Sequence, residues 1–430
     1  MGSNSRTAVS LHSIDFQNMN ARITRRIFFF AIVSLVIQSC GPGSQTDRTA
    51  QDRGDRKSRE ITDMRGVKAV LPGKIERVVA ISDGFIAGVM SYLREEHKIV
   101  GLGSRCLQST FSYEYTSVEG IRYRYDNGMN PVAFLHPELK NLPLVAASNL
   151  ALNYETLAGL RPDVVVLRAG SCTFGSLDDE NTQKTIRTIE AIGIPLIVLK
   201  GPPCYDQPTL AHLSEEILLI GRLFGKEERA RQLAAYLEEE ARRIQERTRG
   251  VPEEDKKRVL LLGLSPRVRA SGGAGNTKGT DTIESYFIES FANARNAYDG
   301  PGGRANYAIL SAEQIYALDP DVILLPTSSG YHPTRELYSA PYFKNLQALR
   351  AVKERNVYAL PWTPCNCAKR IEYPIELMIM AKAAYPERFS DLRVHEWVLD
   401  FYQRAYGVEE AVARKIRSAQ WLDWMEEEGF

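Results

Sequence analysis

Short, continuous hydrophobic runs recur along the chain from residue 77 onwards, and most of them end in glycine, serine or proline. Runs of this length that are apolar at nearly every position are typical of parallel strands covered on both faces. The stretches between them are long enough for helical crossovers, so the pattern predicts an α/β fold. The predicted strands are Arg77–Ser82, Lys98–Gly103, Leu144–Ser148, Val164–Leu167, Pro195–Lys200, Arg258–Leu264, Val322–Leu325 and Val357–Leu360.

A helical period separates the first five of these runs from the last three. Apolar residues at positions 230, 233, 234, 237, 241 and 244 fall on one stripe of a helix, and the remaining positions are rich in Glu and Arg. We therefore predict one long helix near residues 226–247, which bridges two groups of strands.

An internal similarity links the two groups. Glu155 begins the segment ETLAGLRPDVVVL, and Glu313 begins the segment EQIYALDPDVILL. In both, a helical stretch ends before Pro-Asp, because proline disfavours helical geometry at the preceding residue. The alternative is a common α/β connection that arose twice. We predict two doubly wound lobes with parallel or mixed sheets, joined by the bridging helix: an N-terminal lobe at 61–205, a helical segment at 206–250 and a C-terminal lobe with terminal helices at 251–430.

The N-terminus has the pattern of an export signal. Arg22, Arg25 and Arg26 precede the apolar run Ile27–Ile37, which is shorter than the roughly 20 residues that a membrane-spanning helix needs. From the last residue of this run the chain reads Ile-Gln-Ser-Cys, which resembles a bacterial lipobox with Cys40 as the lipidated residue. We predict a lipoprotein signal peptide at 1–40, a disordered polar tether at 41–60, and an exported protein anchored to a bacterial membrane, in the periplasm or on the outer face of the cell. The alternative is an uncleaved membrane anchor.

Composition and motifs argue against two other classes of protein. Lys and Arg total 54 and Asp and Glu total 53, a balance that predicts no nucleic-acid partner. None of the six histidines lies in a triad-like or metal-binding spacing, and the glycine-rich Ser271–Gly275 lacks the pattern of a phosphate-binding loop. We therefore predict that the protein is not an enzyme and has no catalytic cofactor.

Four segments, in the same order, resemble periplasmic-binding proteins for iron complexes and cobalamin, and the resemblance covers residues 61–405. They are Ile61–Gly66 with Leu71-Pro72 and Arg77–Ala80, Asn153–Asp163, Tyr342–Tyr358, and Ala381–Glu387. The resemblance implies a receptor that binds a small ligand between its lobes and delivers it to the permease and ATPase of an ABC importer. It also implies docking through one surface carboxylate per lobe, and these roles are assigned to Glu155 and Glu289.

Every cysteine beyond Cys40 follows a predicted strand. In open parallel sheets ligands bind beyond the carboxyl ends of the strands, so these cysteines are predicted to meet in the cleft between the lobes. We expect them to bind a soft metal or an iron–sulfur cluster as cargo. Disulfides and buried thiols remain open as alternatives. The residues are Cys106, Cys172, Cys204, Cys365 and Cys367.

Basic and aromatic residues accompany the cysteines. The cations are predicted to offset a negatively charged, metal-containing ligand, and the aromatic rings to stack on an organic part of it. The predicted ligand-binding residues are Arg105, Arg168, Lys200, Arg370, Tyr113, Tyr125 and Trp362. A plain surface hairpin explains residues 111–125 equally well. The alternative cargoes are an iron–siderophore, haem or a cobalamin-type chelate, and the alternative function is an electron-transfer protein that retains a cluster.

Overall fold

The computed structural model describes residues 58–146, 152–171, 173–302, 307–326, 333–362 and 370–430. The described residues belong to one compact unit, Asp55–Phe430. The predicted signal peptide with Cys40, most of the tether, and Cys172, Cys365 and Cys367 lie outside the described residues. No helix in the described ranges is long and apolar enough to cross a membrane.

The described strands are short, and seven of the fourteen lie where the hydrophobic runs are. They are β1 Arg59–Thr62, β2 Lys68–Leu71, β3 Val78–Ile81, β4 Ile99–Leu102, β5 Phe111–Thr116, β6 Arg122–Gly128, β7 Val164–Ala169, β8 Leu196–Lys200, β9 Arg258–Leu261, β10 Gly275–Thr277, β11 Arg295–Asn296, β12 Ala308–Leu310, β13 Val322–Leu325 and β14 Val357–Ala359.

The helices vary more in length. They are α1 Phe85–Leu93, α2 Pro131–Leu135, α3 Tyr154–Gly159, α4 Glu180–Ala191, α5 Leu210–Phe224, α6 Glu227–Thr248, α7 Pro266–Ala270, α8 Ile283–Tyr286, α9 Ala312–Leu318, α10 Thr334–Ser339, α11 Arg350–Lys353, α12 Tyr373–Ala384, α13 Val394–Tyr406, α14 Glu410–Ala419 and α15 Trp424–Glu427.

Two separate four-stranded parallel sheets form the centres of the lobes. The first has the order β4-β3-β7-β8 and the second the order β11-β9-β13-β14. The predicted bridging helix is α6, the longest described helix, which runs from Glu227 to Thr248 between them. The predicted fold class is therefore confirmed. The limits of the lobes, 61–205 and 251–430, stay a prediction.

One predicted strand was wrong in the part that the structure describes. Leu144 makes a single parallel bridge to Leu102, next to a hydrogen bond from Val145 N to Leu102 O at 2.8 Å. Pro143 has no backbone N–H to donate, so a longer ladder at this edge of β4 is disfavoured. The hydrophobic pattern predicted burial correctly and secondary structure incorrectly.

The repeated Pro-Asp segments perform the same structural task in both lobes. Asp163 accepts hydrogen bonds from the N–H groups of Glu76 and Arg77, at 2.8 and 3.0 Å, just before β3 begins. Asp321 likewise accepts a bond from Arg258 N at 2.7 Å, at the first residue of β9. In each lobe, the carboxylate therefore aligns the starts of the two central strands.

A continuous hydrophobic core joins the lobes along α6. The same cluster contains Val78 and Phe85 from the first lobe, Leu233 from α6 and Val259 from the second lobe. Residues of α12 and α13 belong to it as well, and the Ile371 side chain lies 3.6 Å from where a Cβ on Gly88 of α1 would be. Packed interiors resist deformation, so the lobes are joined by a shared core and not by α6 alone.

Candidate ligand site

The loops after three neighbouring strands of the first sheet meet at Asp83. This residue follows β3 and is completely buried. Its Oδ1 accepts hydrogen bonds from Ser104 Oγ, which follows β4, at 2.8 Å and from Thr173 Oγ1, which follows β7, at 3.1 Å. The carboxyl edge of the sheet, where ligands of open α/β sheets bind, thus holds a buried polar centre. We call Asp83, Ser104 and Thr173 the Asp83 centre.

Gly84 allows two further polar groups to approach the Asp83 centre. Its backbone has φ of 111°, and a Cβ there would lie 2.7 Å from Asn130 Nδ2 and 3.2 Å from Arg370 Cδ. Arg370 comes from the second half of the chain, directly before α12. Any larger residue at position 84 would displace both side chains, so glycine is required by both backbone conformation and space.

Asn130 has an unsatisfied donor at this point. Its Oδ1 accepts a hydrogen bond from Val132 N at 2.9 Å and caps α2, which turns Nδ2 towards Gly84. The side chain is completely buried, and Nδ2 has no acceptor in the part of the chain that the structure describes. Buried amide groups are nearly always hydrogen-bonded, so this donor marks a place for an acceptor from a ligand or water.

Arg370 was predicted to face the ligand from an open loop, but its side chain is buried. Burial lowers the pKa of Arg370, while the charges of Glu372, Glu376 and Asp83 act in the opposite direction. The guanidinium therefore connects the second half of the chain to the Asp83 centre through its charge interactions with these carboxylates.

Arg168 was expected to follow its strand as an accessible cation, and this placement is wrong. It lies within β7, is completely buried, and donates from Nε and Nη2 to the two carboxylate oxygens of Glu216, both at 2.6 Å. The guanidinium carbon also lies 4.0 Å from the centre of the Phe85 ring. Arg168 thus stabilises the carboxyl ends of the strands from the interior of the protein.

The two other predicted cations are more accessible. Arg105 is exposed in the turn after β4. Lys200, the last residue of β8, is half-buried, and its Nζ lies 4.7 Å from the centre of the Tyr205 ring. Both residues have long side chains and lie within their reach of a ligand at the carboxyl edge of the sheet.

The described cysteines have different states. Cys106 is disulfide-bonded, and its sulfur lies 3.8 Å from Asp83 Oδ1. Cys204 is a free thiol and is therefore not bonded to Cys106. Burial raises the pKa of Cys204, which disfavours its thiolate. Among the described residues, no group of three or more His, Cys, Asp and Glu side chains is arranged to hold a metal ion.

The predicted aromatic ligands pack against protein. Trp362 is almost fully buried between Phe111 and Trp421, with ring centres 5.0 and 4.6 Å apart. Tyr113 and Tyr125 lie on one face of the β5–β6 hairpin, which contacts the second lobe. The alternation of aromatic and polar residues places one face of this hairpin inward, and the stacking of these rings on a ligand stays a prediction.

The expected docking carboxylates are both exposed, but they occupy different structural positions. Glu155 lies in the first turn of α3, and Glu289 lies in a π-helical turn, Phe287–Phe291. Burial raises the pKa of Glu289, and the charge of Lys256 opposes this shift. Glu313, in the first turn of α9, is the residue of the second lobe that matches Glu155.

Comparison with known proteins agrees with this architecture. The family model described as "Periplasmic binding protein" matches residues 122–363, and the chain belongs to this family. It is thus a solute-binding protein of the ABC importer type and not an enzyme, as predicted.

Individual relatives are distant. The molybdate-binding protein MolA of Haemophilus influenzae is 24% identical over 370 residues, which cover 81% of this chain and 91% of MolA. YvrC of Bacillus subtilis, an uncharacterised ABC transporter substrate-binding lipoprotein, is 23% identical over 256 residues, or 59% of this chain and 71% of YvrC.

Solved structures share the fold. A periplasmic solute-binding protein from Veillonella parvula has a TM-score of 0.63 and 19% identity, with 87% of this chain and all of that one covered. MolA with bound molybdate has a TM-score of 0.61 and 21% identity, with 82% and 98% covered.

Sequence reasoning missed Asp83, Thr173 and Asn130. Asp83 follows the first buried strand, and this position was a usable signal. Asn130 gave no signal, because its role depends on the approach of Gly84 from another loop.

Proposed function

We propose that this protein captures a small, metal-containing ligand with anionic oxygen atoms in the cleft between its lobes. The observation that carries this proposal is the unsatisfied, buried Nδ2 of Asn130 beside the Asp83 centre. The N-terminus of α1 starts at the same point and favours negative charge. The binding of molybdate by MolA supports a metal oxyanion as one member of this ligand class.

The charges near the site suit a ligand that has anionic oxygen acceptors and, in addition, either hydrogen-bond donors or a metal atom. Arg370 and Asn130 offer donors to anionic oxygens, and Arg105 and Lys200 add positive charge at the edge. Asp83 accepts hydrogen bonds from two hydroxyl groups and offers a hard oxygen ligand. An iron–siderophore, haem or cobalamin-type chelate is the alternative cargo.

A thiolate-held iron–sulfur cluster or soft metal requires further conditions. Cys106 must first be reduced, and Cys204 must lose a proton although its burial opposes this. In this form of the proposal, Cys172, Cys365 and Cys367 are the other thiolate ligands. A reducing arm in the binding experiment separates it from binding through oxygen: cargo that binds only after reduction supports the thiolates.

Asn130→Asp provides a sharp test of the anionic ligand. The substitution keeps the oxygen that caps α2 and replaces the Nδ2 donor with a carboxylate, which repels an anion. A charged hydrogen bond is worth about 1.5–3 kcal/mol, so we expect roughly ten- to hundredfold weaker binding. The measurement is calorimetric titration with molybdate, a ferric siderophore, haem and cobalamin, each with and without reductant.

The matched control is Asn153→Asp, because Asn153 caps α3 in the same way, through Oδ1 and Thr156 N. We expect it to bind like the wild type. Equal affinities for Asn130→Asp and the wild type would contradict the proposed site, and failure of the whole panel to bind would contradict the ligand class.

We propose further that Cys40 is lipidated and that the tether holds the receptor at the membrane with its permease and ATPase. The lipoprotein YvrC supports this anchor. Cys40→Ser is expected to abolish labelling by a fatty-acid analogue and to release the protein from membranes, whereas Cys204→Ser leaves both unchanged. Membrane retention of Cys40→Ser would instead indicate an uncleaved anchor.

A further inference from the structure

The β5–β6 hairpin has two chemically different faces. Tyr113 pairs with Tyr125 and Tyr115 with Tyr123 across the hairpin, so four tyrosines share one face. The opposite face is polar and exposed, with Glu114 next to Arg124 in the register. The hairpin leaves the first lobe after β4 and returns to it at α2.

The tyrosine face enters the core of the second lobe. Tyr115 is buried in the same hydrophobic cluster as Leu260 and Leu325, which belong to β9 and β13. Tyr113 donates a hydrogen bond to Glu336 Oε1 at 2.6 Å, and Glu336 is completely buried. Burial and the Glu336 charge raise the pKa of Tyr113, so the phenol remains a donor.

Contacts continue from the tip of the hairpin to its base. At the tip, Val118 N donates to Ser339 O at 2.8 Å. Along β6, Trp421 Nε1 donates to Asp126 O at 2.8 Å. At the base, a Cβ on Gly128 would lie 2.6 Å from the Trp421 ring and 2.9 Å from the Trp362 ring, so only glycine permits this packing.

We propose that the β5–β6 hairpin is an inter-lobe brace that sets the width of the ligand cleft, with Tyr113 and Trp421 as its positioning residues. The shared core along α6 joins the lobes, which keep some freedom to bend and twist about this joint. A second attachment, made along a whole hairpin, removes much of that freedom. The brace concerns the cleft of the proposed function but is tested without any ligand, so the two proposals fail independently.

The test compares two tyrosines that bond to the same carboxylate oxygen. Tyr342 donates to Glu336 Oε1 at 2.5 Å from within the second lobe, whereas Tyr113 donates from the hairpin. Tyr113→Phe therefore removes an inter-lobe bond, and Tyr342→Phe removes a bond of the same kind within one lobe. Spin labels attached through a genetically encoded ketone amino acid at the exposed positions Lys184 and Lys344 avoid the native cysteines.

We expect one narrow inter-lobe distance in ligand-free wild type and Tyr342→Phe, and a broader distribution in Tyr113→Phe. We also expect the Val118 amide to exchange roughly ten- to hundredfold faster in Tyr113→Phe, as follows from the loss of a charged hydrogen bond. Trp421→Phe, which keeps a ring and removes the bond to Asp126, is a second variant with the same expected result. Two results would overturn the brace. The first is a broad distribution of inter-lobe distances in the wild type. The second is that Tyr113→Phe behaves like Tyr342→Phe while Trp421→Phe behaves like the wild type.

Discussion

Replacing Arg168 with methionine is expected to lower the free energy of unfolding by about 3–5 kcal/mol near pH 8, which is the usual cost of breaking a buried ion pair. The reason is that Glu216 would lose its only described ion-pair partner and would have to keep a buried negative charge or bind a proton, and at pH 8 both cost free energy. Methionine has a similar volume and leaves no large cavity, so the lost charge dominates the effect.

The size of this loss is expected to depend on pH. Burial raises the pKa of Glu216 to about 7 even though Arg168 acts in the opposite direction. A raised folded-state pKa means that the stability contributed by this group is fully present below about pH 4.5, its ordinary value, and is lost as pH rises through about 7. Without Arg168 the folded-state pKa rises further, so the variant differs least from wild type at pH 5.

Urea unfolding at pH 5 and pH 8 measures the difference. The double variant Arg168→Met, Glu216→Leu is the control, because removal of both charges is often neutral or stabilising. Recovery of most of the stability at pH 8 is expected in the double variant. Equal losses at the two pH values, or no recovery, would show that packing and not charge explains the effect.

Combined replacement of Glu155 and Glu313 by alanine is expected to impair transport severely without changing ligand affinity. Both carboxylates lie in the first turn of the helix that precedes a central strand, α3 before β7 and α9 before β13. Charges at a contact between receptor and permease mainly set the orientation and the association rate, so we expect association with the permease to slow by roughly tenfold or more.

Glu289→Ala decides between the two assignments for the second lobe. If the family resemblance assigned docking correctly, Glu289→Ala impairs uptake as much as Glu155→Ala does. If the repeated Pro-Asp segments are the better guide, Glu313→Ala impairs uptake to this extent and Glu289→Ala does not. The measurements are uptake in cells that express the chain with its permease and ATPase, and ligand affinity of each purified variant. Normal uptake in all three variants would refute docking through these carboxylates.

The hydrophobic pattern predicted the architecture because both sheets are buried on both faces. Strands such as β3 and β13 are buried at every residue, and this leaves a continuous apolar run that local sequence reveals. The stripe of α6 and the Pro-Asp segments are likewise local features. Family membership followed from segments of this kind, since they report on elements of the fold and not on the ligand.

The site depends on contacts between residues that are far apart in the chain, and no local sequence pattern reveals such contacts. Arg168 was read as a loop cation, but its neighbour Glu216 lies on a distant helix and holds it in the interior. The tyrosines of the hairpin were read as a ligand surface or a free surface, and the second lobe covers them.

The sequence by itself therefore determined the two α/β lobes, the long helix between them and the family, because periodicity and burial are encoded in neighbouring residues. Only the tertiary structure decided which polar groups meet at the cleft. Asp83, Asn130 and Arg370 are far apart in the chain, and the approach of Gly84 brings them together. Their chemistry depends on burial and on partners, both of which arise when the chain folds.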